Sequence, residues 1–298
     1  MASPAARVQG ARPHRGLDVR SLIAFFGFSF GLTWGLGLLA LIAPDAIEAW
    51  FGEFGPTNPL FILAVYAPAL TALVLVWRAY GLSGIASFLR RLTLWRMPLA
   101  LWAGVVVGIP AVYYVAAAIG GTMTPFPFSP WFAVLPALAF SLLLGPVEEF
   151  GWRGLALPLL QRRLAPLWAG LVLGVIWIVW HLPAFFIGGT PQSQFAFAWF
   201  FLGGVAISVI MTAMFNAARG SLLVMALFHW QLNNPIWPDA MAWASVLFII
   251  AAVAVVLLRR DAMLTREGAV TDVLHPDDAA AFAPPRSHPT TRRRASPG

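Results

Sequence analysis

Two adjacent carboxylates, Glu148 and Glu149, two imidazoles, His181 and His229, and the carboxamide of Asn233 lie within or at the ends of long apolar stretches of this chain. A charge at the centre of a bilayer costs roughly 2.5–3.5 kcal/mol on insertion scales, so such groups persist where they have a partner or a task. The other ten of the twelve acids fall in connectors or tails, and His14, His275 and His288 fall in the polar termini. His229 and Asn233 are four residues apart and share a helix face, as do Glu149 and Arg153, and Trp177 and His181. Together these side chains could hydrolyse a bond. A carboxylate takes a proton from water, an imidazole orients that water or shuttles the proton, and N–H donors stabilise an oxyanion.

Plainer readings stay open for each group. Glu149 and Arg153 could simply neutralise each other as a helix ion pair. Each imidazole could donate to a backbone carbonyl. Asn233 and the adjacent Asn234 could bridge helices, or cap one before Pro235. Trp177 could be packing, or the wall of a pocket. Glu148 is the exception: it points roughly 100° away from Glu149 around a helix and has no local partner, so idle burial would be costly.

These groups must be carried by helices in lipid. The chain is 60% apolar and only 10% charged, with a mean hydropathy of +0.78, against about a quarter charged in soluble domains. A water-soluble fold of this length could not hide that apolar surface. With no cysteine, disulfides, thiolate metal sites and Cys nucleophiles are all excluded. Crossing the hydrocarbon core takes roughly 20 apolar residues, and eight stretches qualify: 21–43, 60–77, 99–119, 131–147, 167–187, 195–215, 222–237 and 241–258. The expected fold is an all-α polytopic membrane bundle, with kinks at Pro110 and Pro146. Residues 1–20 read as a basic tail before a retained first helix rather than a signal peptide. The transmembrane unit spans 21–260, with its motifs in 131–237. The tail, 261–298, becomes rich in Ala, Pro, Asp and Arg from Gly268 and is expected to take no fold.

The net charge is +7, and all 19 basic residues are arginines. They cluster beside the apolar stretches, which fits topology and anionic headgroups better than nucleic acid. Arg7, Arg12, Arg15 and Arg20 precede the first span; Arg78, Arg90, Arg91 and Arg96 follow the second, Arg162 and Arg163 the fourth, Arg219 the sixth, and Arg259, Arg260 and Arg266 the eighth. The alternate connectors hold no arginine; 44–59 carries Asp45, Glu48 and Glu53, and 238–240 only Asp239. Eight spans put every basic connector on one side, so the positive-inside rule predicts a multi-pass cell-membrane protein with both termini cytoplasmic. Residues 82–94 have apolar positions at helical spacing, which predicts an amphipathic helix on the inner surface; the alternative is an extension of the third span.

The sequence resembles the CAAX-protease and bacteriocin-processing family, also called the type II CAAX prenyl proteases. That family's first motif, EExxxR, is matched by Glu148-Glu149-Phe150-Gly151-Trp152-Arg153. Its second, an aromatic residue four before a His, is matched by Trp177 and His181, with Trp where Phe is usual. Its third, His-x-x-x-Asn/Asp, is matched by His229 and Asn233. The resemblance implies an intramembrane endopeptidase with a cavity open toward the cytoplasmic leaflet. By motif, Glu148 corresponds to the catalytic carboxylate, with Glu149 and Arg153 supporting it. His181 corresponds to the water-holding partner, and His229 and Asn233 to the oxyanion-stabilising groups. The family is often labelled metalloprotease, and two His plus a carboxylate would suffice for zinc on Glu148, His181 and His229. The spacing is not HExxH, however, and a ligating Glu148 could no longer act as base, so metal-free catalysis is the favoured reading. A proton-coupled transporter and an idle scaffold or immunity protein are the alternatives. The expected partners are membrane lipid and a peptide or protein substrate whose identity the sequence does not give.

One expectation is geometric. The spans place Glu148 near the inner edge of the bilayer, His229 in the inner half and His181 nearer the middle. Convergence therefore requires tilt, a break near Gly145 and Pro146, or a later start to the fifth helix.

Overall fold

The computed structural model describes residues 16–282, and these form helices and turns with no strand. The all-α class is as expected. Among the described residues, seven helices are long and apolar enough to cross a membrane. In chain order with the shorter elements, the helices are α1 (Val19–Ile42), α2 (Pro44–Phe51), α3 (Pro59–Arg90), α4 (Leu99–Gly120), α5 (Trp131–Gln161), α6 (Pro166–Trp180), α7 (Phe197–Ala217), α8 (Leu222–Leu232) and α9 (Met241–Leu258). Ile23, Phe28, Val107, Ile250 and Leu257 are each more than half exposed, as helices that face lipid on their outer side require.

Two expected spans change. The stretch 222–237 holds a helix of only 11 residues, α8, about 16 Å long at 1.5 Å per residue and half of the hydrocarbon thickness. The rest of that crossing is irregular backbone over residues 233–240. Its polar groups are met internally: the Trp237 indole donates to the Gln231 carbonyl at 2.7 Å, and the Ile236 amide to Asn234 Oδ1 at 3.1 Å. The stretch 131–147 is the second correction, because α5 continues for 31 residues to Gln161. Trp152, Arg153, Leu155, Ala156 and Leu157 are fully enclosed by protein. The charged motif therefore sits in the middle of the helix and does not end it.

The arginine-bearing ends meet on one face. Arg162 donates to the Leu17 carbonyl before α1, and the Leu17 amide donates to the Tyr80 hydroxyl of α3. Gln161 at the end of α5 pairs with Asn216 at the end of α7, and both hold Val270, beyond α9. Both ends of the described chain thus lie on the arginine-rich face. The opposite face is formed by residues 43–58, 121–130, 187–196 and 233–240, which hold no arginine.

Residues 82–90 belong to α3, continuing it past a kink at Gly81, where φ is +68°. Gly84, Ser87, Phe88 and Arg91 form the buried stripe of this amphipathic stretch, which rests on protein. Arg91 is fully buried and joins three segments. Its Nε donates to the Gly220 carbonyl at 2.8 Å, and Nη1 to the carbonyls of Gly154 at 2.7 Å and Val273 at 2.9 Å. The tail segment to which Val273 belongs was expected to take no fold. Through Phe282 it docks on the arginine-rich face, with the His275 amide on Ser87 and the Phe282 ring against Tyr80. The Ser87 hydroxyl and the Arg90 guanidinium hold the Asp278 carboxyl below the ordinary carboxylate range. Residues 1–15 and 283–298, with the rest of both expected tails, lie outside the described residues.

Replacing Arg91 with Leu strands three buried carbonyls, and each stranded polar group costs about 1–3 kcal/mol. Arg91→Leu should therefore lower thermal stability in detergent far more than Arg90→Ala, which removes half-exposed contacts to Asp277, Asp278 and His275. Equal melting temperatures for the two variants would contradict this role.

Candidate active site

The site is built on breaks in helices. In α3, Pro68 has no N–H to give the Ala64 carbonyl, and the Thr33 hydroxyl of α1 donates to that carbonyl instead, at 2.8 Å. In α5, Gly145 and Pro146 lead into a tight turn, Pro146–Glu148, in which the Glu148 amide bonds back to the Gly145 carbonyl at 3.0 Å. The Tyr66 hydroxyl meets the Leu143 carbonyl left over just before the break. A wide turn, Trp152–Ala156, follows. Such irregular turns inside long helices concentrate at functional sites. Pro183 ends the regular helix after α6 and leaves His181 as its cap residue.

The depth conflict resolves through the length of α5. Glu148 lies thirteen residues before Gln161, and His181 fifteen after Pro166, so each stands about 20 Å from the arginine-rich ends. Of the remedies the sequence left open, the break at Gly145 and Pro146 is present, while α6 starts one residue early rather than late.

All five candidate residues and both supporting ones gather around the Trp177 ring or the adjacent turn. The Trp177 indole N–H donates to Glu148 Oε2 at 2.9 Å. His181 Nε2 stands 3.9 Å from the same oxygen. His181 Nδ1 faces the Trp177 carbonyl at 2.9 Å; a carbonyl can only accept, so Nδ1 carries the hydrogen and Nε2 turns its lone pair toward Glu148. Glu149 Oε1 accepts from Arg153 Nη1 at 3.0 Å and from His229 Nδ1 at 2.7 Å. The Arg153 guanidinium lies 4.5 Å over the Trp177 ring, within cation–π range. The rings of His181 and His229 each stand edge-on to Trp177 at 5.6 Å. Trp177 is thus a hydrogen-bond donor to the key carboxylate as well as a wall.

Gly145, which the sequence did not mark as a site residue, makes room for the third motif. A methyl group there would fall 1.9 Å from Asn233 Nδ2 and 3.0 Å from His229 Nε2. The glycine lets those two nitrogens come together beside the turn that bears Glu148. No spacing rule pointed to it, because the contact joins residues 84 and 88 positions apart.

Glu148 and His181 border a cavity of about 60 Å³, also lined by Thr33, Phe61, Ala64, Ile187 and Gln192. That volume holds a few water molecules. For zinc, the donor set does not fit. Among the described residues no three His, Cys, Asp or Glu side chains are grouped to hold an ion.

A helical bundle of spanning length with carboxylates, imidazoles and a guanidinium buried at mid-depth defines a polytopic membrane protein with a polar interior centre. The sequence model of the family "Type II CAAX prenyl endopeptidase Rce1-like" matches residues 129–235, the stretch that holds all three motifs. The chain is also 30% identical over 147 residues to the CAAX prenyl protease 2 of Methanococcus maripaludis, an alignment covering 46% of this chain and 51% of that protein. The chain thus matches about half the length of that relative. Both findings support the CAAX-protease family, the one the motifs resemble.

Gly145 and Gly151 of α5 should respond differently to a methyl group. At Gly151 it would meet the backbone of Pro68 at 2.7 Å, which cannot give way, so Gly151→Ala should cost about 1–3 kcal/mol through overpacking. At Gly145 it meets the movable end of Asn233, so Gly145→Ala should displace that amide at little cost in melting temperature. A Gly145→Ala protein that melts as low as Gly151→Ala would show that the Asn233 position is rigidly packed instead.

Proposed function

We propose that the protein is an intramembrane endopeptidase of the CAAX-protease type that hydrolyses a peptide bond with water activated by Glu148. The observation that carries this reading is the 3.9 Å gap between Glu148 Oε2 and His181 Nε2, which one water can bridge with about 2.8 Å to each atom. Glu148 takes one proton from that water, while His181 Nε2 accepts a hydrogen bond from its other O–H and so aims a lone pair of the water oxygen at the carbonyl carbon. Water oxygen bonds to carbon, and the proton held by Glu148 passes to the amide nitrogen as the C–N bond breaks. His229, held through Nδ1 by Glu149, turns Nε2 toward the Asn233 amide. The two would face the developing oxyanion. Arg153 fixes Glu149, and Trp177 fixes the orientation of the Glu148 carboxylate.

The family match and the named relative support an endopeptidase acting on a membrane-associated protein. A proton-coupled transporter would also bury acids and histidines, but it has no support from the family match. No step requires a metal.

Glu148→Gln should abolish cleavage in detergent or liposomes, with melting temperature retained. Asn233→Ala should lower kcat by roughly 10²-fold, the usual effect of losing one oxyanion donor. Cleavage at wild-type rate by Glu148→Gln would end the proposal, and pH-driven solute uptake by that variant's parent in liposomes would favour transport.

A further inference from the structure

Pro110 interrupts α4 as Pro146 interrupts α5, and the consequence falls on α8. Residues Gly104–Gly108 form a wide turn, closed by the Ile109 amide on the Gly104 carbonyl. The next carbonyl, that of the buried Val105, would take its wide-turn hydrogen bond from residue 110, a proline without an N–H. The Gln231 side chain supplies the missing donor, with Nε2 3.3 Å from the Val105 carbonyl oxygen. Thr33 gives the carbonyl freed by Pro68 the same remedy.

Gln231 stands two residues before Asn233, so their side chains leave the chain on opposite sides. Gln231 reaches α4, while His229 and Asn233 meet at Gly145 of α5. Gln231 Oε1 accepts from Asn234 Nδ2 at 3.3 Å, and its backbone carbonyl accepts from the Trp237 indole at 2.7 Å. The Tyr113 hydroxyl of α4 donates to the Leu232 carbonyl at 3.3 Å, and Tyr114 of α4 stands edge-on to Trp237 at 5.8 Å. The chain on both sides of Asn233 is thereby fastened to α4. Trp230 anchors α8 on its other flank, its indole donating to the Leu138 carbonyl and the Ser141 hydroxyl of α5 at 3.0 Å each. That anchor stops short of Asn233, which lies just past the last helical residue, Leu232.

We infer, on the strength of the peptidase reading, that Gln231 is a positioning residue for the oxyanion: it uses the break at Pro110 to fix the end of α8, and so sets where the Asn233 amide meets the reacting carbonyl oxygen. The Asn233 amide needs such support because it sits beyond the regular helix, tied by its backbone N–H to the carbonyls of His229 and Trp230. A group misplaced by about 1 Å can cost roughly 10²-fold in rate. A carboxamide suits the task, since it donates to one partner and accepts from another. The bond is also costly to break from either end, because an unmet carbonyl among apolar helices finds no water to replace the lost donor.

Gln231→Met keeps the length of the side chain and removes both of its hydrogen bonds. In that variant kcat for peptide cleavage should fall by roughly 10- to 10²-fold with KM little changed. In an Asn233→Ala background the same substitution should cost nothing further, because the group that it positions is gone. Hydrogen exchange of the purified protein in detergent gives a readout without catalysis. The amides of residues 232–237 should exchange faster in Gln231→Met, and those of residues 222–228 should not. A loss of kcat that is the same with and without the Asn233 side chain shows a general disturbance and overturns the inference. Unchanged exchange overturns it as well, and so does faster exchange with kcat at the wild-type value. Undiminished cleavage by Glu148→Gln sinks the peptidase reading alone, whereas these outcomes bear on Gln231 alone.

Discussion

A carboxylate inside a bilayer protein must be met by charge or by hydrogen, and the centre of this molecule is arranged around that requirement. Glu149 is met twice on one oxygen, by Arg153 and by His229, with all three side chains almost completely enclosed. Removing one member of such a set leaves an uncompensated buried charge, which is far worse than never having buried the set. The arrangement leaves Glu148, its neighbour in sequence, differently placed. It receives one indole N–H and faces one imidazole nitrogen across a gap of water size. Adjacent carboxylates given unlike surroundings can take unlike tasks. Here one is occupied in holding the centre together, and the other stays available for chemistry.

Backbone irregularity is concentrated around the same point. Pro68 frees a carbonyl that Thr33 satisfies, the turn at Pro146–Glu148 interrupts α5, and α8 covers only part of the bilayer. In lipid such irregular backbone is tolerated only where protein or a water-filled cavity receives its polar groups. The breaks are also what bring Glu148, His181 and His229 to one place. Straight helices cut to the apolar stretches of the sequence would have left them at different depths.

Charge economy made most of the centre legible from the sequence. Glu148, Glu149, Arg153, His181 and His229 were singled out because they are expensive where they stand, and they lie together. The fold class followed from composition, and the arrangement of arginines correctly brought the basic ends to one face. What stayed hidden was whatever depends on contacts between distant segments. Hydropathy ended the fourth span at Val147 because charged residues follow, yet Arg153 is enclosed by protein and the helix runs on. The polar composition after Gly268 read as unstructured, yet the buried Arg91 holds that segment by the Val273 carbonyl, which composition does not encode. Gly145 and the Trp177 hydrogen bond escaped for the same reason: each matters through a partner dozens of residues away.

The most direct test of the central claim is a structure of the protein with a peptide aldehyde, whose hydrate mimics the tetrahedral intermediate. The account predicts one hydrate oxygen within hydrogen-bond distance of both Glu148 and His181 Nε2, and the other facing His229 and Asn233. A bound hydrate that contacts neither Glu148 nor His181 would contradict it.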